Sequence, residues 1–171
     1  MQNGFVRTEQ MDKLSERIKF LLKRDLFDSV IATRFLNNDK SMYEKMFSWH
    51  RLKAEDERQV ILGIEEYVDC YVDKYIYNCV TPSFIQRLCQ LNEGEYPKKV
   101  FIIGADTDCC VLTIATALFE NNIRPIVLTK YVNSNGGSES HKAGLLVLKR
   151  LIGKNQLVDV DPVSREDLDI I

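Results

Sequence analysis

The sequence predicts an α/β protein with a single domain, in which helices cover both faces of a mostly parallel sheet. Short runs rich in β-branched and aromatic residues alternate along the chain with longer segments of helical period. Parallel strands need a crossover connection, which is usually a helix, so this alternation is typical of a three-layer α/β sandwich with right-handed crossovers. The length of 171 residues fits one domain of this class.

The first half of the chain predicts one surface helix and two strands. Residues 9–25 (EQMDKLSERIKFLLKRD) place apolar residues at helical spacing, with charged residues between them. Residues 27–37 (FDSVIATRFLN) predict a buried strand around Val30–Ala32, and residues 69–77 (DCYVDKYIY) predict a second strand. The polar stretch between them mixes aromatic and charged residues, and its pattern fits neither a helix nor a strand throughout.

The second half predicts three helices and three strands. Pro82 is well placed as the first residue of a helix over residues 82–92. Strands are predicted at residues 98–105, 124–132 and 156–162, and helices at residues 110–122 and 141–153, with a loop at residues 133–140 (NSNGGSES) before the last helix. Leu145, Leu148, Leu151 and Ile152 are expected to form the apolar face of that helix.

Composition excludes several classes of function. The 23 Lys and Arg nearly balance the 25 Asp and Glu, without a block of like charges, so we expect neither a nucleic-acid partner nor a membrane partner. No apolar run reaches the roughly 18 residues of a membrane span, and the chain starts without an apolar signal region, so we expect a cytoplasmic protein. The five cysteines lack paired spacing and the two histidines lie far apart, which predicts neither disulfides nor structural zinc.

The turn at residues 104–110 (GADTDCC) is the strongest candidate for chemistry. In parallel sheets, ligands bind beyond the carboxyl ends of the strands, where this turn is expected. A cysteine at a helix N-terminus feels a partial positive charge that favours the thiolate, and backbone N–H groups there can stabilise an oxyanion. The alternative is that Cys109 and Cys110 only fill space in the core, because free cysteines are usually buried.

The surrounding residues favour chemistry. Residues 100–132 (VFIIGADTDCCVLTIATALFENNIRPIVLTKYV) resemble the isochorismatase-like cysteine hydrolases, with their apolar strand, glycine, short polar turn and Cys-Val at the start of a helix. Two further motifs of the family match: a lysine followed three residues later by an aromatic, at Lys74 and Tyr77, and the end of Asp-x-Gln-x-x-Phe, at Gln2 and Phe5. The resemblance implies a Rossmann-like sheet of strand order 3-2-1-4-5-6.

The same resemblance implies roles for individual residues. Cys110 is the implied nucleophile and Lys74 favours its thiolate, while Cys109 is a packing residue. The N–H groups of Asp106 and Cys110 form the implied oxyanion hole, next to a cis peptide bond between Ala105 and Asp106. The substrate pocket is expected to involve Gln2, Phe5, Phe35, Trp49, Tyr77 and His141.

Two of these pocket assignments have open alternatives. Trp49 could equally pack beneath the pocket, and His141 could be a solvated residue in the first turn of its helix. No cofactor or metal is expected, because the family members that hydrolyse nicotinamide carry Asp-x-His and a second His after strand 2. The corresponding region of this chain has only Asp39 and a late His50.

The general base of the family falls outside this sequence. Its Asp would stand one place before Met1, together with the central strand that carries it. Without that strand, about half a dozen backbone groups on each neighbouring strand would lack partners. We therefore expect roughly ten further residues upstream, forming an apolar strand that ends in Asp.

The resemblance implies hydrolysis of a carbon–nitrogen bond in a small amide or carbamoyl substrate through a thioester. It also implies a homo-oligomer, either a dimer or a tetramer. If the upstream Asp is truly absent, the alternative is a non-catalytic relative, or a protein that binds small ligands or carries out thiol redox chemistry.

Overall fold

Five parallel strands form two separate ladders in the computed structural model of the protein, which describes residues 2–61 and 63–171. The first ladder pairs β1 (Ile31–Phe35) with β2 (Cys70–Lys74). The second ladder has β4 (Arg124–Asn133) at its centre, between β3 (Lys99–Ala105) and β5 (Leu157–Val158). Among the described residues, no ladder joins β1 to β3.

Seven helices connect or flank the described strands: α1 (Glu9–Leu22), α2 (Met42–Phe47), α3 (Glu55–Arg58), α4 (Pro82–Leu91), α5 (Leu112–Glu120), α6 (Gly137–Leu151) and α7 (Arg165–Ile170). Local sequence explains where several begin. The Thr8 hydroxyl accepts the N–H of Met11 at the start of α1, and Thr81 does the same for Phe84 at the start of α4, where Pro82 is the first helical residue. No helix in the described part of the chain is long and apolar enough to cross a membrane.

The sheet separates two apolar cores. Successive residues of β4 point to opposite faces. Ile126 and Leu128 pack with α1 in one core, while Val127 packs with α5 and α6 in the other. The chain therefore has three layers, as predicted.

Among residues 2–61 and 63–171, no strand pairs with the edge of β1 that faces away from β2. The N–H of Leu36 donates to Lys74 O at 2.8 Å, so even-numbered residues of β1 turn their backbone groups toward β2. Phe35 turns its backbone groups the other way, where the Gln2 side chain bonds both: Phe35 N donates to Gln2 Oε1 at 2.7 Å and Gln2 Nε2 donates to Phe35 O at 2.9 Å. By the same alternation, Ile31 and Thr33 face the open edge.

Several helix boundaries differ from those that the residue pattern predicted. Helix α5 begins at Leu112 rather than Cys110, because a turn of π-helix at Thr107–Val111 precedes it. Helix α6 begins at Gly137, not His141, so the predicted loop is shorter and His141 lies in the second turn. Leu151 is 43% exposed and does not belong to the apolar face.

The burial of β1 differs from the prediction, and helix α7 was not part of it. The strand predicted as buried around Val30–Ala32 is only half-buried, because β1 has an open edge. Helix α7 was not predicted. The ladder orders β2-β1 and β3-β4-β5 are those expected on either side of the central strand, and the order across the gap remains a prediction.

Candidate functional site

The turn after β3 is held by its own backbone. The carbonyl oxygen of Asp106 accepts the N–H groups of Cys109 at 3.1 Å and Val111 at 3.0 Å, which winds residues Thr107–Val111 into a single π-helical turn. The peptide bond between Ala105 and Asp106 is cis. Because β3 ends at Ala105 and the turn begins at Thr107, the turn lies at the carboxyl end of β3. An α/β sheet normally binds its ligands at this end of the strands.

The turn carries two adjacent thiols, Cys109 and Cys110. Both cysteines are half-buried and all five cysteines of the chain are free. Burial raises the pKa of the Cys109 thiol to about 12, and the carboxyl groups of Asp108 and Asp106 raise it further. Cys109 is therefore protonated at neutral pH, and the assignment of Cys110 as the nucleophile remains a prediction from the family resemblance.

Lys74 brings a buried charge to the same edge of the sheet. It is the last residue of β2, is 6% exposed, and donates from Nζ to the carbonyl oxygen of Tyr77 at 2.6 Å. Burial raises the pKa of the neighbouring Cys79 thiol to about 11, and the Lys74 ammonium opposes that rise, as it does at Cys109. No carboxylate among residues 2–61 and 63–171 forms an ion pair with Lys74.

Of the two acidic residues of the turn, Asp106 is buried and Asp108 is half-buried. Asp106 accepts the N–H of Asn135 at Oδ1, at 2.8 Å. Burial raises the pKa of Asp106 to about 6, the Asn135 N–H lowers it, and Asp108 raises it again. Asp108 Oδ1 is buried without a hydrogen-bond partner among the described residues, so this side chain does not cap the helix that follows.

Helix α6 supports the turn from one side. The imidazole Nδ1 of His141 and the hydroxyl of the fully buried Thr107 are hydrogen-bonded at 2.8 Å, and burial lowers the pKa of His141. His141 was predicted to contact substrate, and the contact the structure gives it is with Thr107. One turn later, a Cβ on Gly144 would lie 2.8 Å from the backbone nitrogen of Asp108, so only glycine allows this close approach.

A cluster of aromatic rings lies at the ends of β1 and β2. The Tyr43 ring meets Phe35 edge-on at 4.8 Å between centroids and Tyr77 at 5.2 Å, and Trp49 lies 5.6 Å from Phe35. The predicted residues Phe35, Trp49 and Tyr77 are thus brought together. Tyr43 was missed, because it lies in the polar stretch whose structure the pattern did not define.

Gln2 and Phe5 have different surroundings. The side-chain amide of Gln2 forms hydrogen bonds with the backbone N–H and carbonyl oxygen of Phe35, so it holds the end of β1 in place. Phe5 lines a cavity of about 340 Å³ formed by Asn3–Arg7 and Arg51. None of these lining residues belongs to the turn at Thr107–Val111.

The region after β1 is occupied by ion pairs. Lys53 Nζ contacts Asp39 at 2.5 Å and Glu44 at 2.9 Å, and the same Glu44 bonds His50. Within the described ranges, no group of three or more His, Cys, Asp or Glu residues could hold a metal ion. The carboxylates of Asp39 and Glu44 are therefore paired with the Lys53 ammonium, and His50 is paired with Glu44.

The protein-family model for the isochorismatase domain matches residues 1–157 of this chain. No curated protein sequence matches the chain.

Solved structures share the fold. An isochorismatase-like hydrolase from Alkaliphilus metalliredigens has a TM-score of 0.73 at 17% identity, covering 88% of this chain and 87% of that one. A nicotinamidase from Bacillus subtilis has a TM-score of 0.69 at 19% identity (89% and 92% covered). An N-carbamoylsarcosine amidase from Thermoplasma acidophilum has a TM-score of 0.65 at 20% identity (85% and 84% covered).

Proposed function

Because the chain belongs to the isochorismatase family, we propose that it is a cysteine-dependent hydrolase that cleaves the carbon–nitrogen bond of a small amide or carbamoyl compound. The observation that carries this proposal is the buried Lys74 ammonium at the end of β2, within electrostatic range of the cysteine turn after β3. A nicotinamidase and an N-carbamoylsarcosine amidase among the structural neighbours support the choice of carbon–nitrogen bonds.

In the proposed reaction, Cys110 is the nucleophile. A carboxylate takes the thiol proton, Lys74 stabilises the thiolate, and the sulfur attacks the carbonyl carbon of the substrate. The N–H groups of Asp106 and Cys110 receive the negative oxygen of the tetrahedral intermediate. The C–N bond breaks, the amine leaves with the proton held by the carboxylic acid, and water then hydrolyses the thioester, returning a proton to the sulfur.

We further propose that the carboxylate comes from an extended strand between β1 and β3. Three observations support it: the open edges of these strands, the half-buried apolar residues on them, and a buried Lys74 ammonium that no described carboxylate neutralises. A buried charge without a partner is costly, so an acid at the end of such a strand would also stabilise the fold. Gln2 already bonds the last residue of that edge, Phe35.

The lack of a described carboxylate beside Lys74 also leads to a second candidate function. If no carboxylate reaches Lys74, Cys110 has no base, and the chain would be a non-catalytic relative that binds small ligands or exchanges thiols. Selective alkylation of Cys110 by iodoacetamide at neutral pH, lost in Lys74→Ala, would support the hydrolase. Equal and slow alkylation of several cysteines would support the second function.

We also propose that the chain forms a homo-oligomer. Helix α2 has no buried residues, and Met42, Met46 and Phe47 are each more than half exposed on it. Tyr75 and Ile76, in the loop beyond β2, are exposed in the same way. Exposed apolar surface of this kind favours a protein contact.

The test of the hydrolase compares two extensions of the chain directly before Met1. Both add the same apolar strand of roughly ten residues, which ends in Asp in one chain and in Asn in the other, and ammonia release is measured on a panel of amides and carbamoyl compounds. A general base contributes about 10²- to 10⁴-fold, so we expect the Asp chain to exceed the Asn chain by that factor. Cys110→Ala should abolish activity and Cys89→Ala should not.

Two results would contradict the proposal. The first is activity that survives Cys110→Ala in the Asp chain. The second is a pair of folded, extended chains that both release no ammonia. Circular dichroism and unfolding curves of both chains distinguish an inactive enzyme from a misfolded one.

A further inference from the structure

Asp106 and Thr107, at the start of the cysteine turn, are hydrogen-bonded to the segment that follows β4. The N–H of Asn135 donates to Asp106 Oδ1 at 2.8 Å. The imidazole Nδ1 of His141 and the hydroxyl of Thr107 are also hydrogen-bonded at 2.8 Å, and Thr107 is fully buried. His141 is thus the residue of α6 that holds Thr107 in place.

Helix α6 gives His141 a firmly packed support. Gly144 and Leu148, which follow His141 by one and two turns, are both buried, and Leu148 belongs to the core that α5 and α6 share. A Cβ on Gly144 would lie 2.8 Å from the backbone nitrogen of Asp108, so the helix and the turn are in direct contact. Because a close-packed helix does not shift freely, its hydrogen bond to Thr107 fixes the position of that residue.

The backbone N–H that precedes Thr107 has no backbone partner. Asp106 is 9% exposed, and among residues 2–61 and 63–171 its N–H donates no hydrogen bond to another backbone group. An unpaired N–H of a buried residue is rare and calls for an explanation, of which a catalytic role is one. A donor in an oxyanion hole acts only when it is aimed at the oxyanion to within about 0.5 Å and 10 to 20°.

We propose that His141 is a positioning residue, which sets the direction of the Asp106 N–H in the oxyanion hole through the hydroxyl of Thr107. In this role His141 contacts neither the nucleophile nor the substrate, unlike the substrate contact predicted from the sequence. The inference rests on the proposed function for the nucleophile, Cys110, and for the oxyanion hole. It assigns to α6 the alignment of the reacting oxygen, not the binding of substrate.

The test uses aldehydes, which report on an oxyanion hole without turnover. The Cys110 sulfur adds to the aldehyde carbon, the C=O π bond breaks, and the thiol proton passes to the oxygen, which gives a hemithioacetal with no net oxidation. Acetaldehyde, isobutyraldehyde and benzaldehyde are added to the chain, and the protection of Cys110 from iodoacetamide is measured by tandem mass spectrometry. The rate of alkylation without aldehyde measures the reactivity of the thiol itself.

Matched variants isolate the hydrogen bond. The amide of Asn lies where the imidazole Nδ1 lies, whereas the amide of Gln lies farther from the backbone. We expect His141→Gln and Thr107→Val each to weaken aldehyde binding about tenfold, and His141→Asn and Thr107→Ser to stay within about threefold of the parent. Alkylation without aldehyde should change by less than about twofold in all four, because the thiolate depends on Lys74 and not on α6.

The double variant His141→Gln/Thr107→Val tests whether both residues act through one bond. It should bind aldehydes as well as either single variant does, since the same contact is lost only once. Lys142→Gln changes the exposed residue next to His141 and is the control, which should keep the affinity of the parent. Circular dichroism shows that each chain compared is folded.

Further losses in the double variant, equal affinities of His141→Asn and His141→Gln, or no protection of Cys110 in the parent chain would overturn the inference. In a chain that releases ammonia, His141→Gln should lower kcat about tenfold with KM unchanged, and a change in KM alone would also overturn it. Aldehyde binding in the expected order, without ammonia release even from the chain extended with Asp, would leave the role of His141 intact and count against the proposed function instead.

Discussion

Strands β4 and β3 have similar apolar sequences and very different surroundings. In β4, Ile126, Val127 and Leu128 are fully buried, whereas in β3 only Ile102 is buried and its neighbours are half-exposed. In the described part of the chain, β4 has a paired strand on each side, and β3 has a paired strand on one side. Lateral pairing, which composition does not reveal, therefore decides how much of an apolar strand is removed from water.

The largest expected effect tests this comparison directly. Leu128→Ala in β4 should lower the free energy of unfolding by about 4 kcal/mol, since it opens a cavity in a closed core. Ile103→Ala in β3 should cost about half as much, because part of that side chain is already in contact with water. Urea unfolding monitored by circular dichroism measures both, and equal losses would show that the edge of β3 is covered in solution.

The next largest expected effect on stability concerns Asp106, the residue that directly follows β3. Burial raises the pKa of Asp106 from 3.8 to about 6, so the folded chain keeps this proton where the unfolded chain has lost it. Stability is then lost as the pH rises from about 4 to about 6. Asp106→Asn keeps the acceptor for Asn135 and removes the titration, so it should be more stable than the parent chain by about 3 kcal/mol at pH 7.5 and nearly equal at pH 4.

Unfolding curves at these two pH values measure the difference. Asp169→Asn is the control, since this carboxylate is exposed on α7 and its replacement should change stability by less than about 0.5 kcal/mol at either pH. An Asp106→Asn chain that is less stable at both pH values would contradict the assignment of a buried, destabilising carboxylate.

The smallest effect concerns the open edge of β1. Gln2→Ala removes both hydrogen bonds to the backbone of Phe35, and we expect a loss of about 1 to 2 kcal/mol. Asn3→Ala removes an exposed bond to Asp56 O and should cost less than about 0.5 kcal/mol. If both substitutions cost the same, Gln2 does not protect the strand edge.

Much of the fold could be predicted because its signals are local. The spacing of Met11, Leu14 and Ile18 defines α1, and Pro82 marks the start of α4. The boundaries of the candidate site could not be predicted in this way. The π-helical turn before α5 depends on two N–H groups that share the carbonyl of Asp106, and no residue type signals this arrangement.

The candidate site was predictable only where a motif exists. Cys110, Lys74 and Tyr77 are predicted as site residues through a family resemblance, and the structure adds contacts around them that the motif does not contain. Tyr43 stands in a stretch without periodicity, and its position depends on the buried Asn37, which is six residues away and unremarkable in sequence. These contacts are tertiary, and no pattern of residue types in the sequence predicts them.

The contact between Gly144 and the cysteine turn also limits how the site can move. Helix α6 lies directly against the backbone of Asp108, with no side chain between them to change rotamer or yield. The turn therefore has no room to shift toward α6. Any movement of this turn that admits a substrate or releases a product therefore has to be directed away from α6.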